Sequence, residues 1–240
     1  MIEFRHYRYG PFLLALAMVC AAEKVRAQEN DPAPNGLPVI INRKQAAGLS
    51  LAHPAPEYPA VAKVNYLQGR VELELTVNGQ GKVASAHVVE GEAILAVSAL
   101  KAALRWVYRP LATTAGPSGF ITTVELKFTL LYKESELTPR QAERDFLRQV
   151  KPPQAVPPGE DAPPGTVVHL RLLVNDQGQV VDIEGAPTDR AQFAAARDTL
   201  RGWTFRPARW GALPIASYLD VDVPVRASSI ASAAANAVGR

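Results

Sequence analysis

The sequence predicts an α+β fold of two tandem, small two-layer modules, each a three-stranded antiparallel sheet with one or two helices on one face. The first observation behind this prediction is an internal repeat. A shift of 97 residues places residues 77–83 on 174–180 and residues 106–110 on 203–207. The second observation is that each copy passes from strand periodicity to helical periodicity and back. One helix laid on a three-stranded sheet is a minimal two-layer arrangement, so each copy predicts a β-hairpin, a helix and a β-strand.

The first copy shows each of these elements in turn. Apolar and polar residues alternate in Val71–Val77, which predicts a strand with one buried face, and a turn is predicted at residues 78–81. A second strand is predicted over Lys82–Glu90. Apolar residues at helical spacing from Ala93 onward predict a helix that ends near Arg109 and Pro110. The third strand is predicted over Ile121–Leu131, where alternation returns.

The second copy repeats this order with a less regular sequence. Strands are predicted at residues 168–175, 179–184 and 218–226, and a helix at residues 189–201. Pro224 lies inside the last strand, and a proline cannot donate a hydrogen bond to a sheet ladder. The last strand is therefore predicted to be an edge strand.

The sequence of the N-terminal residues predicts an export signal. Basic residues precede an apolar run at residues 11–22, which is too short to span a bilayer, and Val25-Arg26-Ala27 resembles a cleavage site. Residues 1–27 are thus interpreted as a signal peptide cut after Ala27, leaving no stable membrane span. Two alternatives stay open: lipidation at Cys20 and an uncleaved N-terminus that anchors the chain to the inner membrane.

The remaining segments connect or flank the two modules. Residues 138–150 are typical of an amphipathic helix that begins with a proline, and a proline-rich stretch that follows predicts a stiff spacer. The predicted organisation is as follows: a flexible segment at 28–53, module 1 at 54–133, a linker helix and spacer at 134–164, module 2 at 165–227 and a disordered tail at 228–240.

Four short motifs of the first module together resemble the C-terminal domain of TonB. They are Tyr58-Pro59-x-x-Ala62, Gly69-Arg70-Val71, Val77-x-x-x-Gly81-x-Val83 and Trp106-x-Tyr108-x-Pro110. The resemblance covers residues 54–131 and extends more weakly to residues 165–227, where the Tyr-Pro motif is missing. The second module is therefore interpreted as a divergent copy. The resemblance also implies a first helix from Pro59 to about Leu67.

The resemblance implies a protein-interaction function in the periplasm. In this family the N-terminal box of an outer-membrane receptor pairs with the third strand, which corresponds here to residues 121–130 and, in the second copy, 218–226. The partner-binding residues expected from the family are Tyr58, Pro59, Lys63, Val124, Leu126 and Phe128. Lys63 stands where several members carry a glutamine that faces the receptor box. A link to TonB-dependent transport follows from the same resemblance.

A structural role is the alternative hypothesis. Three-stranded sheets have open edges, so the two modules could pair with each other edge to edge, or the chain could form a homodimer. The two hypotheses differ in whether residues 121–130 present a free strand edge.

Several function classes find no support in the sequence. The four histidines have no metal-ligand spacing, no nucleophile motif is present, and one cysteine cannot form a thiolate metal site. The formal charge of +3 is small and the basic residues are scattered, which argues against nucleic acid. We therefore expect no enzymatic activity, no catalytic residues, no metal and no cofactor.

Overall fold

Two antiparallel sheets, built on the same strand plan, organise the structure. A computed structural model describes residues 39–114, 116–130, 139–158, 166–185, 190–226, 229–231 and 233. The predicted signal peptide, Cys20 and the cleavage site lie outside these residues. The described residues belong to one compact unit. We refer to residues 39–130 as the first half and residues 166–226 as the second half.

The first half contains three helices and eight strands among its described residues. In chain order they are β1 (Val39–Ile40), α1 (Arg43–Leu49), β2 (Ser50–Ala52), α2 (Ala60–Val64), β3 (Gly69–Val77), β4 (Val83–Glu90), α3 (Ala93–Ala103), β5 (Val107–Tyr108), β6 (Leu111–Thr113), β7 (Gly116–Ser118) and β8 (Phe120–Phe128).

The linker and the second half add the remaining elements. They are α4 (Pro139–Leu147), β9 (Val150–Lys151), β10 (Gln154–Val156), β11 (Thr166–Val174), β12 (Val180–Glu184), α5 (Arg190–Leu200), β13 (Thr204–Arg206), β14 (Ala208–Trp210), β15 (Leu213–Ile215) and β16 (Ser217–Val225). The mixed α+β class that the sequence predicts is confirmed.

The two main sheets have equivalent strand orders. The first runs β1-β8-β3-β4 and the second β12-β11-β16, so in each half the first strand of the hairpin lies between the second strand and the third. Leu73 lies opposite Val124 in the first sheet, and Leu170 lies opposite Val221 in the second. These registers differ by the repeat shift alone, so equivalent residues of the two halves face the same way.

The hairpin turn explains why the repeat retains its Asn-x-x-Gly pattern. The Asn78 side chain accepts the backbone N–H groups of Gln80 and Lys82, both at 3.0 Å, and Asn175 makes the equivalent bonds in the second half. Gly81 and Gly178 adopt φ of +80° and +77°. A Cβ atom on Gly81 would lie 1.9 Å from the carbonyl oxygen of Tyr108, where the strand after the helix crosses the turn. Only glycine fits this crossing.

Several local predictions differ from the structure. The helix of the first copy ends at Ala103, because the chain then forms β5 against β2 instead of continuing toward Arg109. The helix α2 stops at Val64, before the predicted end at Leu67. Residues 39–53, expected to be flexible, form β1, α1 and β2.

The linker and the tail also carry more structure than their composition suggests. Strands β9 and β10 pair with β14 and β13 of the second half, so residues 150–156 are part of the fold as well as a connection. In the predicted disordered tail, residues 229–231 and 233 are helical, and Ile230 packs against the second core.

The apolar core of the first half continues into the second. Buried residues of α3 and the first sheet cluster with Phe146 of the linker helix and with Leu173 and Ile215 of the second half. Leu172 and Val174 belong to a separate core beneath α5. Because neighbouring residues of a strand face opposite sides, Leu173 lies on the other face of β11. The second sheet therefore buries apolar residues on both faces.

Candidate functional site

The third strand of the first half, β8, carries an incompletely paired edge. Along its inner edge β8 pairs with β3 over its whole length, from Phe120 opposite Val77 to Phe128 opposite Gly69. Along its outer edge it pairs only with β1, at Phe120 and Ile121. The rest of this outer edge has no strand partner among the described residues.

Hydrogen-bond direction identifies the backbone groups that face outward on β8. The carbonyl oxygen of Ile121 accepts the N–H of Ile41 at 3.0 Å, so the backbone groups of Ile121 point away from β3. Since these groups alternate along an antiparallel strand, those of Thr123, Glu125 and Lys127 also point outward. They are the donors and acceptors that an added strand would use.

The strand residues expected to bind a partner direct their side chains into the core instead of toward a partner. The side chains of Val124, Leu126 and Phe128 are 8%, 6% and 2% exposed and belong to the first core. Their contribution to this site is to hold β8 flat against the core. The groups nearest to an added strand belong to the alternate residues of β8.

Tyr58, Lys63 and Phe128 meet at one end of β8. The Tyr58 hydroxyl donates to the carbonyl oxygen of Leu67 at 2.6 Å, and its ring packs edge to face on Phe128 with centroids 5.5 Å apart. The ammonium of Lys63 lies 5.9 Å from the centre of the Tyr58 ring, within cation–π range. Partial burial raises the pKa of Tyr58, so this side chain stays a neutral hydrogen-bond donor.

Pro59 lies on a different surface. It is the residue before α2 and lines a cleft of about 550 Å³ between the two halves. Apolar residues of both halves line the cleft, among them Ile94 and Val97 of α3 and Ile215 of the second half. Lys101 also lines it. The structure therefore gathers five of the six expected partner-binding residues around β8 and directs Pro59 toward the cleft.

The equivalent edge of the second half is interrupted. β16 lies at the edge of its sheet and pairs only with β11 among the described strands. The register of β11 with β16 matches that of β3 with β8, so Asp220, Asp222 and Pro224 occupy the outward positions. Pro224 removes one outward donor. This position agrees with the sequence prediction of an edge strand.

The two halves meet at their other edges, β4 and β12, through a side chain. Asp182 of β12 is nearly buried, and its carboxylate accepts the backbone N–H of Val88 at 2.7 Å and that of Ile183 at 2.9 Å. It also contacts Nδ1 of His87 at 3.0 Å. This hydrogen bond is the main cause that raises the pKa of His87. The described strands of the two halves therefore meet without forming a continuous ladder.

A second polar contact joins the halves at the start of α3. The hydroxyl of Tyr218 donates to the carbonyl oxygen of Gly91 at 3.1 Å. The neighbouring Glu92 caps α3 by accepting the N–H of Ile94 at 2.8 Å. Burial raises the pKa of Glu92 to about 7, because a carboxylate loses hydration there. The junction thus contains a carboxyl group that titrates near neutrality.

Metal-ligand clusters and membrane spans are both missing from the described residues. No group of three or more histidine, cysteine, aspartate or glutamate side chains is placed to hold a metal ion within the described ranges. In the same part of the chain, no helix is long and apolar enough to cross a membrane.

Comparison with known proteins finds one family match, and it lies in the first half. Residues 54–130 match the family model described as the Gram-negative bacterial TonB protein C-terminal. This segment has the TonB C-terminal pattern. Domains of this family are non-enzymatic protein-interaction domains of the Gram-negative periplasm, with outer-membrane receptors among their partners. The match covers about a third of the chain. No curated protein and no solved structure matches the chain significantly.

Sequence reasoning missed two features, one beside the outer edge of β8 and one where the two halves meet. The first is the segment before the module, where Asn42 and Gln45 form a reciprocal capping box at the start of α1. The spacing of these two residues is a helix-start signal that could have been found. The second is Asp182, which resembles any polar residue on the solvent face of a strand. Its role depends on the packing of the two halves, for which the sequence carries no signal.

Proposed function

We propose that this protein binds an extended segment of a partner protein by strand addition at the outer edge of β8. The observation that carries the proposal is the row of outward backbone groups at Thr123, Glu125 and Lys127, which have no strand partner among the described residues. Strand addition draws its affinity from such main-chain groups. The TonB-like match of residues 54–130 supports a receptor segment as the partner.

The proposal extends to the rest of the chain. Residues 1–27 direct export to the periplasm, and residues 166–226 are a divergent second copy with the same strand order. Pro224 interrupts the outward edge of that copy, so we assign the principal docking strand to the first half. Mass spectrometry of the exported protein tests the cut after Ala27, and an intact Met1 would contradict it.

A titration followed by backbone amide shifts tests the docking strand. The probes are synthetic peptides taken from the N-terminal boxes of outer-membrane receptors. We expect shifts at Thr123, Glu125 and Lys127, with little change in the second half. Peptides of the same composition in scrambled order serve as the control. Absence of shifts in residues 121–130 at millimolar peptide would overturn the proposal.

A further inference from the structure

The docking edge of β8 is partly occupied by the chain itself. We call residues 39–52, which comprise β1, α1 and β2, the N-terminal strap. Val39 and Ile40 pair in parallel with Phe120 and Ile121, at the start of the outer edge of β8. This pairing uses the same kind of backbone contact that the proposed function assigns to a partner.

The side chains of the strap alternate as those of an added strand would. Ile41 is 8% exposed and belongs to the first core, whereas Ile40 is 79% exposed. One side chain is thus buried while its neighbour faces solvent. In strand addition, pockets for alternate side chains provide specificity. The strap therefore indicates which chemistry this edge accepts: a short extended run of β-branched apolar residues parallel to β8.

The strap then continues beside the remaining edge of β8. β1 ends at Ile40, Asn42 caps α1, and α1 lies next to β8. The Arg43 guanidinium lies 3.2 Å from a carboxylate oxygen of Glu72 on β3 and 3.5 Å from one of Glu125 on β8. Glu125 is one of the three residues whose backbone groups point outward.

We propose that the strap is an internal competitor for the docking edge, and that a partner segment of the same chemistry displaces it. The inference rests on the proposed function and adds its regulation. Displacement of the strap frees the outward backbone groups of Ile121 and removes Arg43 from Glu125. The docking edge then extends over the full length of β8.

The strength of the strap's attachment suits an exchangeable occupant. Its strand pairing involves only two residues, and the charged groups bound by Arg43 are partly exposed. Ile41 and Ala46 are the two buried residues of the strap, so opening exposes few apolar side chains and is expected to cost little free energy. Its other end has a separate attachment, because β2 pairs with β5 and the N–H of Arg109 donates to the carbonyl oxygen of Leu49 at 2.7 Å. An opened strap therefore stays attached to the domain.

A disulfide lock tests the competition in the full chain. Ile40→Cys and Ile121→Cys are introduced together in a Cys20→Ser background, since these two positions are in register across the β1–β8 pair. The first probe is a synthetic peptide of residues 36–42, Gly-Leu-Pro-Val-Ile-Ile-Asn. We expect the oxidised protein to bind it at least about tenfold more weakly than the reduced protein, because the competent state is removed. Lys151→Cys with Arg209→Cys, which are in register across β9 and β14, is the control pair.

A second variant opens the strap without a cross-link. Arg43→Ala removes both ion pairs, and we expect it to raise peptide affinity about two- to fivefold, the range of an exposed charged contact. Receptor-box peptides are measured on every variant in parallel. Equal binding by the oxidised and reduced lock, with no gain from Arg43→Ala, would overturn the competition alone. Failure of every peptide to bind the reduced lock and Arg43→Ala would overturn the proposed function itself.

Discussion

The two halves of this protein share a turn and a strand register but differ at their outer edges. Asn78 and Asn175 cap equivalent turns, and Gly81 and Gly178 lie beneath equivalent crossings. On the outer edge, in contrast, β8 pairs with β1, whereas β16 has no second strand partner among the described strands and contains Pro224.

This difference distinguishes the positions that the fold requires, at the turns, from positions that are free to vary, at the outer edges. The turn and the crossing are constrained by sterics, since a side chain on either glycine would collide with a carbonyl oxygen. The outer edges carry no such constraint, because their backbone groups can be satisfied by water. The edges are therefore where the two halves differ, one with a strand edge that is partly paired with β1 and one with an edge that Pro224 interrupts.

The largest expected effect tests the shared turn. Gly81→Ala is expected to lower the free energy of unfolding by about 3 kcal/mol or more, because a Cβ atom would be forced 1.9 Å from the carbonyl oxygen of Tyr108 at positive φ. Gly178→Ala is expected to cost slightly less, since the equivalent distance is 2.4 Å. Urea unfolding measures both.

Gly48→Ala is the control for these substitutions. Gly48 lies in α1, and a Cβ atom added there would meet no other atom within 4 Å, so alanine is expected to stabilise by roughly 0.5–1 kcal/mol. If Gly178→Ala left the free energy of unfolding unchanged, the two halves would not be equivalent here, because the second half would then tolerate a side chain where the strand crosses its turn.

The next effect concerns the start of α3, where Glu92 is buried next to the contact from Tyr218. The folded pKa of Glu92 is about 7, raised from 4.5 by burial. A group with a raised folded pKa contributes stability that is fully present below its unfolded pKa and lost as pH rises through the folded one. Between pH 4.5 and 7 the free energy of unfolding should fall by up to about 3 kcal/mol on this account.

Glu92→Gln should flatten this decline, because the amide keeps the capping oxygen and does not titrate. The pKa of His87 is also raised, so its contribution to the free energy of unfolding is likewise lost as pH rises above 6.5, and this second decline should be the smaller one. Thermal unfolding from pH 4.5 to 8 measures both slopes. An unchanged slope in Glu92→Gln would show that the junction does not bury this carboxyl group.

A third prediction tests the contact between the halves. Asp182→Ala should lower the free energy of unfolding by about 2 kcal/mol, because the N–H of Val88 would be left without its buried acceptor. The equivalent residue in the first half is Ser85, whose replacement by alanine should cost within about 0.5 kcal/mol. Equal costs in urea unfolding would mean that Asp182 does not join the halves.

The smallest expected effect is on partner binding and exchanges the edge residues of the two halves. Lys127 and Pro224 occupy equivalent outward positions. Lys127→Pro removes an outward donor and should weaken binding of receptor-box peptides about fivefold, the equivalent of one hydrogen bond. Pro224→Lys should leave that affinity unchanged if the docking strand belongs to the first half. Calorimetric titration measures both, and a stronger effect from Pro224→Lys would reverse the assignment.

Much of the architecture could be predicted because its signals are local. Alternation marked β3, β8 and β11, helical spacing marked α3, and the repeated turn aligned the two halves. The helix ends were less predictable, since α3 stops where β5 pairs with a strand from the preceding segment. The sequence predicted residues 121–130 as the partner-binding strand. The structure adds that the side chains of Val124, Leu126 and Phe128 in this strand are buried in the core.

The sequence by itself determined the order of the elements along each half, the hairpin turns and the TonB-like pattern of residues 54–130. These depend on periodicity and on backbone conformations that a few residue types allow. Only the tertiary structure decided that the strap pairs with β8, that Asp182 joins the halves and that Leu173 completes the first core. Such contacts join residues far apart in the chain, and the same strand pattern is compatible with a free edge, a paired edge or a buried one.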